Sequence, residues 1–439
     1  MVKEFFEART FAVVGAARSK EKVGYAVLKN LLQNKKNMVF PVNPNASKIL
    51  GQKCYQEIGD IPSKISCVII AVKAELVPDI LAQAGKKQVK CAIVVSSGFS
   101  ESGNVELENE IVKIAEQYKI KLLGPNVLGF INSGKNLNAS FFSGIIPKGG
   151  IVFLSQSGAL GVGVLDLALK SNIGFSGFVS LGNCAQLDFS DFIDYYSKDS
   201  ATRVIALYIE SLKENKGRKF LEACKRCKKP ILALKAGRTA GGIRAASSHT
   251  AALVSAEGVY SGMFREAGII EVDSISELLN FSRVLDQYGR LGKRACIITN
   301  AGGLGVLTAD ACSQNGLELV PIPVKIQEKL HSVLPPEAGL GNPIDLLGDA
   351  LAERYQKVLK VLDGENFFDF FIVLLTPQFM IKPVETAQSL VSLKKPVFAC
   401  FYGGEKVEEA RKVLVNSKII TFNDVNELKI LGQAVNSLN

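Results

Sequence analysis

Short apolar runs alternate with helix-length amphipathic segments along the whole 439-residue chain, and that alternation restricts the fold to parallel sheets covered by helices. A chain of this length exceeds what one hydrophobic core accommodates, so several domains are expected. Phe11 to Val14, Met38 to Val42, Cys67 to Val72, Cys91 to Ser96 and Lys121 to Leu123 read as five strands of a first, Rossmann-like domain that closes at Gly124-Pro125-Asn126. A second set runs through Ile151 to Leu154, Gly177 to Ser180, Val204 to Ile209, Ile231 to Lys235 and Ile269 to Val272. A third follows at Ala295 to Thr299, Leu317 to Pro321, Phe370 to Thr376 and Val397 to Phe401. The expected domains are 1–140, 141–288 and 289–439, joined near Ser140 to Gly150 and near Gly289 to Lys293.

The second and third sets contain an internal repeat. Ser155-Gln-Ser-Gly-Ala-Leu-Gly-Val162 aligns without gaps to Thr299-Asn-Ala-Gly-Gly-Leu-Gly-Val306, every position displaced by 144 residues. Both copies follow an apolar strand and open a helix. A glycine-rich turn of this kind leaves backbone N–H groups unpaired at the positive end of a helix, where an anion is favoured. Ser155, Gln156, Ser157 and Gly158, with Asn300, Ala301, Gly302 and Gly303, are therefore candidate phosphate-binding residues.

His249 is one of only two histidines, and it sits in Lys235-Ala-Gly-Arg-Thr-Ala-Gly-Gly-Ile-Arg-Ala-Ala-Ser-Ser-His249-Thr-Ala-Ala-Leu253, where nearly every neighbour is small. Such a segment reads as a presentation loop, and an imidazole on it suits either proton transfer or nucleophilic capture of a phosphoryl group. His331 lies near an expected helix end and is assigned no chemistry.

The turn after the first strand reads Val14-Gly15-Ala16-Ala17-Arg18-Ser19-Lys20-Glu21-Lys22-Val23-Gly24, which is not G-x-G-x-x-G. The second strand ends Val42-Asn43-Pro44-Asn45 without the carboxylate that would hold a nicotinamide dinucleotide's ribose. Arg18, Lys20 and Lys22 instead surround the turn with positive charge, which suits a pyrophosphate ligand carrying an extra ribose phosphate, as coenzyme A does. Gly15, Ala16, Arg18, Lys22, Val42, Asn43, Asn45, Val72 and the turn Ser96-Ser97-Gly98-Phe99 are expected to line that crevice.

A formal charge of +10 favours anionic partners, but the lysines are dispersed and no basic run is interleaved with aromatics, so phosphate-bearing small molecules are expected rather than nucleic acid. Nine scattered cysteines suggest reduced thiols, and the Cys224/Cys227 pair has no second pair to complete a zinc site, so no metal is expected. Glu4, Glu7 and Arg9 argue against a secretory leader, and the longest apolar run, around Phe367 to Leu375, is too short to span a bilayer. A cytoplasmic protein without membrane attachment is expected.

Taken in order, V-G-A, P-V-N-P, S-S-G-F, G-P-N, S-Q-S-G, Y-I-E and S-S-H-T-A closely resemble the α subunit of ADP-forming acetate–CoA ligases, the NDP-forming acyl-CoA synthetases related to succinyl-CoA synthetase. The resemblance implies an α/β protein with a Rossmann-like CoA-binding domain and two flavodoxin-like domains. It implies that acyl-CoA and phosphate give acyl phosphate and CoA, that a histidine takes the phosphoryl group, and that the phosphohistidine passes it to ADP. On these residues the phosphohistidine falls at His249, the glutamate that orients it at Glu210, one phosphate turn at Ser155 to Gly158, and the meeting point of CoA thiol and acyl group at Asn126.

The resemblance also implies an ATP-grasp β subunit that supplies the ADP/ATP and Mg site, in an α2β2-like assembly. Two competing readings are a non-catalytic CoA-binding regulator and an acyl-CoA lyase or hydrolase using His249 as a base. A regulator would have no reason to keep His249, Glu210 and both glycine turns together.

Overall fold

The computed structural model describes residues 2–239, 241–243 and 257–436. It forms two compact units, Met1–Leu278 and Leu279–Asn439.

The first unit holds two main sheets. In the first sheet, β1 (Thr10–Val14), β2 (Met38–Val42), β5 (Cys67–Ile70), β6 (Cys91–Val94) and β7 (Lys121–Leu123) are all parallel, in the order β2-β1-β5-β6-β7. A small hairpin, β3 (Lys48–Ile49) with β4 (Gln52–Lys53), lies between β2 and β5 in sequence. Every residue of β5 and β6 is buried, as expected for strands covered by helices on both faces. The order reverses between β1 and β5, which opens a crevice beyond their C-terminal ends.

The second sheet contains β8 (Gly129–Asn132), β9 (Leu137–Ser140), β10 (Lys148–Ser155), β11 (Phe175–Ser180), β12 (Val204–Ile209), β13 (Ile231–Lys235) and β14 (Ile270–Glu271), in the order β14-β13-β12-β10-β11-β8-β9. Five of these strands are parallel, and the antiparallel β8–β9 hairpin extends the edge at β11. By hydrogen bonding, residues 129–140 thus belong to the second sheet although they precede the expected linker. Its turn, Ser133-Gly-Lys-Asn136, places Asn136 at a φ of 48°, a left-handed position that asparagine tolerates. One continuous core joins the sheets, with Phe11, Val13, Cys67 and Ile69 in the same cluster as Val152, Leu154, Ile205 and Leu207.

The second unit is a parallel sheet of β15 (Arg294–Thr299), β16 (Glu318–Leu319), β17 (Ile344–Asp345), β18 (Phe370–Leu375), β19 (Val397–Phe401) and β20 (Ile420–Thr421). The main path is β16-β15-β18-β19-β20, with β17 also paired to β15. Its core centres on Phe371, Val373, Leu375 and Ala399, packed by Tyr355 and Leu359. No helix among the described residues is long and apolar enough to cross a membrane.

Candidate active site

The crevice of the first sheet is closed by two glycines. Gly15 follows β1 with a φ of 85°, and a Cβ there would overlap the Ala71 carbonyl beside Val72. Gly24 opens the helix Val23–Gln33 so close to Gly15 that a Cβ would strike the Gly15 carbonyl. Sequence reading placed Gly15 in the site but assigned Gly24 no role. Only glycine allows this strand-to-helix turn to fold back on itself.

Asn43 holds this turn together. Its Nδ2 donates to the Ala16 carbonyl at 2.7 Å and its Oδ1 accepts from the Asn45 N–H at 2.8 Å. Its amide is thus engaged in fixing the loop, while Ala16 and Val42 are buried beneath. Arg18 and Lys22 are exposed at the rim.

In the Ser96-Ser97-Gly98-Phe99 turn, the Gly98 and Phe99 N–H groups both donate to Glu101 Oε1, at 2.5 and 3.3 Å. Burial works against charge on Glu101, but the Asn183 amide and these N–H groups hold its carboxyl below the usual range. Ser97 is exposed and Phe99 fully buried. The Ser96 hydroxyl is buried without a hydrogen-bond partner among the described residues, an arrangement that proteins rarely leave unsatisfied.

Asn126 stands between the two sheets of the first unit with a φ of 61°, its N–H donating to the Ser96 carbonyl at 2.9 Å. Its Nδ2 donates to Asn183 Oδ1 at 3.4 Å. Asn183, Glu101, Glu108 and Lys213 form a polar cluster that sequence reading missed, because their contacts span between 75 and 105 residues of chain.

The second sheet reverses its order between β10 and β12, and the Ser155 to Gly158 turn and Glu210 lie at that reversal. Ser155 ends β10, and its hydroxyl donates to the Ser157 carbonyl at 2.8 Å. Ser157 caps the helix Gly158–Lys170 by accepting from the Leu160 N–H at 3.2 Å. Gln156 reaches across to the end of β12, where its Oε1 accepts from the backbone N–H groups of Glu210 (2.6 Å) and Ser211 (3.0 Å). Gln156 therefore fixes the backbone from which the Glu210 side chain springs. Lys235, only 4% exposed, donates to the Glu210 carbonyl at 2.8 Å and lies 4.5 Å above the Tyr260 ring. Burial draws the Lys235 ammonium down to about 8, with Glu210's charge pulling the other way and Arg238 adding to the fall. His249 lies outside the described residues.

The second unit repeats this construction. Thr299 Oγ1 donates to the Ala301 carbonyl at 3.0 Å, as Ser155 does to Ser157. Asn300 Oδ1 accepts from the Thr376 N–H, just past β18, at 2.9 Å, as Gln156 does past β12. Gly302 and Gly303 open the helix Gly302–Gln314 and are exposed. Asn342 bonds to Ile297, Ala295 and Val320 of the framework, and Asp345 lies against Gly302 at the same helix end. All nine cysteines are free, and no cluster of metal-ligating side chains occurs among the described residues.

Three family models match in succession: a CoA-binding domain over residues 9–133, a succinyl-CoA ligase-like flavodoxin domain over 148–285, and a ligase-CoA domain over 295–435. ADP-forming acetate–CoA ligase I of Archaeoglobus fulgidus is 41% identical over 98% of this chain. The α subunit of ADP-forming acetate–CoA ligase II of Pyrococcus furiosus is 38% identical, the match covering 99% of this chain and 97% of that subunit. The chain belongs to the ADP-forming acetate–CoA ligase family.

The chain spans 63% of the length of the Archaeoglobus acetate–CoA ligase and 97% of the Pyrococcus α subunit. Acetyl-coenzyme A synthetase 1 of Ca. Korarchaeum cryptofilum, solved in complex with phosphate and ADP, shares the fold at a TM-score of 0.93 and 34% identity, over 100% of this chain and 96% of that one. The expected α/β architecture, a Rossmann-like domain followed by flavodoxin-like parallel sheets, is the observed one.

Proposed function

We propose that this chain is the α subunit of an ADP-forming acyl-CoA synthetase acting on acetyl-CoA or a close relative. The observation that carries the reading is the meeting, at the order reversal of the second sheet, of the capped helix start at Ser157 with Glu210, whose N–H is held by the adjacent Gln156. A helix N-terminus offers N–H groups to a phosphate, and a carboxylate beside it orients and charges an imidazole.

The first-sheet crevice would hold CoA, with Arg18, Lys20 and Lys22 at its phosphates. The fit is supported by the glycine-closed turn and by the unsatisfied Ser96 hydroxyl, which a ligand group would pair. Phosphate held at Ser155 to Gly158 attacks the thioester carbonyl: a C–O bond forms, the C–S bond breaks, and the proton of hydrogenphosphate passes to the CoA sulfur. A His249 ring nitrogen then attacks phosphorus, and the carboxylic acid leaves as its anion. Glu210 would accept the hydrogen bond from the other ring nitrogen. The Asn300 to Gly303 turn would offer a phosphate-favouring helix terminus of its own, with neutralisation and positioning providing most of the catalysis. Three domains, with boundaries near 140 and 288, would divide these tasks. Transfer to ADP would take place on an ATP-grasp β subunit that carries the nucleotide and Mg, in an α2β2-like assembly in the cytoplasm.

Mass spectrometry of the purified chain after exposure to acetyl phosphate tests this. An acid-labile phosphoryl group is expected on His249, absent from His249→Ala and acquired roughly a hundredfold more slowly by Glu210→Gln, the scale of losing one positioned catalytic group. Phosphate on another residue, or none, would rule the reading out.

A further inference from the structure

Resting on the acyl-transfer reading of Asn126, we propose that Asn183 is a positioning residue for that step, and that the carboxylates of Glu101 and Glu108 set the polarity with which the Asn126 amide faces the thioester. Asn183 Nδ2 lies 2.5 Å from Glu101 Oε2 and 2.8 Å from Glu108 Oε2. A side-chain amide has two N–H donors and one acceptor oxygen. Turning the Asn183 amide over would set its oxygen against two carboxylates, so the orientation is fixed with Oδ1 toward Asn126. Asn126 must then commit an Nδ2 hydrogen inward, at 3.4 Å from Asn183 Oδ1, which leaves its own Oδ1 and second N–H for substrate.

The surrounding contacts remove the remaining freedom. Glu108 is 4% exposed and is pinned by the Ser100 hydroxyl at 2.5 Å and by Lys213 Nζ at 2.8 Å. Glu101 is pinned by the Gly98 and Phe99 N–H groups. The backbone of the 182–185 segment grips the Asn126 turn as well: the Asn183 N–H donates to the Pro125 carbonyl at 3.0 Å and the Ala185 N–H to the Gly124 carbonyl at 3.1 Å. A Cβ on Gly182 would overlap the Pro125 carbonyl. Lys213 lies in the segment that begins at Glu210, so one charged chain, Lys213–Glu108–Asn183–Asn126, joins the phosphoryl side of the site to the acyl side. Buried charge-assisted hydrogen bonds of this kind hold geometry well because breaking one strands a charge.

The test separates two routes to the phosphorylated chain. Acetyl phosphate phosphorylates the histidine directly, whereas acetyl-CoA plus inorganic phosphate must first undergo acyl transfer. For Asn183→Ala we expect the acetyl-CoA route to slow by about tenfold or more through lost positioning, with the acetyl phosphate route within about twofold of wild type and CoA affinity within about threefold. Asn183→Asp, which sets a third carboxylate against Glu101 and Glu108, should slow the acetyl-CoA route further. Adding Glu108→Gln to it reverses donor and acceptor across that contact and should recover about fivefold. If the alanine variant fails to fold, Asn183→Ser serves, with the same route-selective loss expected. Equal slowing of both routes, no slowing of either, or no recovery on adding Glu108→Gln would overturn the proposal. A wild-type chain phosphorylated by neither route would instead overturn the functional reading beneath it.

Discussion

At the scale of single residues, the candidate site relies on side chains whose hydrogen bonds fix backbone. Gln156 and Asn43 are both of this kind, a role that sequence reading, which assigned each to ligand contact, did not foresee. Residue type announced their polarity but not their partners, because Ala16, Glu210 and Ser211 lie just past the ends of other strands. Lys235 carries a pH signature of its own. Its pKa of about 8 in the folded chain, set by burial against the pull of Glu210 and with the help of Arg238, lies below the value of about 10.4 of an unfolded lysine. The folded chain therefore binds this proton less tightly than the unfolded one. The cost is full below pH about 8 and is relieved as pH rises toward about 10. Urea unfolding of wild type and Lys235→Met across roughly pH 7.5 to 9.5 checks it: the difference in stability should move in favour of wild type as pH rises. A difference that stays flat contradicts it.

At the scale of elements, the repeat read as eight aligned residues proves to be a repeated piece of construction. In each copy a hydroxyl ends the strand and bonds two residues on, and an amide side chain reaches the N–H past the neighbouring parallel strand. Gln156→Ala and Asn300→Ala should therefore each lower unfolding free energy by about 1–3 kcal/mol, the cost of buried N–H groups left unpaired, as measured by denaturant unfolding. A neutral effect at both positions would show the shared geometry to be incidental. The alternation of strand and helix made nearly all the parallel strands legible, from Thr10–Val14 to Val397–Phe401. The β8–β9 hairpin escaped because its short alternating strands carry too little apolar length to stand out, and β17 and β20 are two-residue strands whose pairing, not composition, defines them. The cluster of Glu101, Glu108, Asn183 and Lys213 escaped for a different reason, since each residue alone reads as a solvated polar group and only folding brings them together.

At the scale of the whole molecule, the parallel strands of three sheets each reverse order once, and in every case the glycine-bearing turn lies at the reversal: Gly15 after β1, Gly158 after β10 and Gly302 after β15. Topology thus supplies three anion-favouring positions before any side chain is chosen. The family, the fold and the order of the motifs were legible in the sequence because V-G-A, P-V-N-P, S-S-G-F, G-P-N, S-Q-S-G and Y-I-E lie at strand ends, where chain geometry leaves little choice of residue. In the proposed reaction the phosphoryl group taken from inorganic phosphate crosses this chain on His249 to reach ADP elsewhere. Labelled phosphate offered with acetyl-CoA tests it most directly, with ADP added afterwards in the presence and absence of an ATP-grasp β subunit from a relative. Acid-labile label is expected on His249, moving into ATP only when the β subunit is present, with no label in His249→Ala. Label reaching ATP in the His249→Ala variant, or ATP made by this chain without the β subunit, would contradict it.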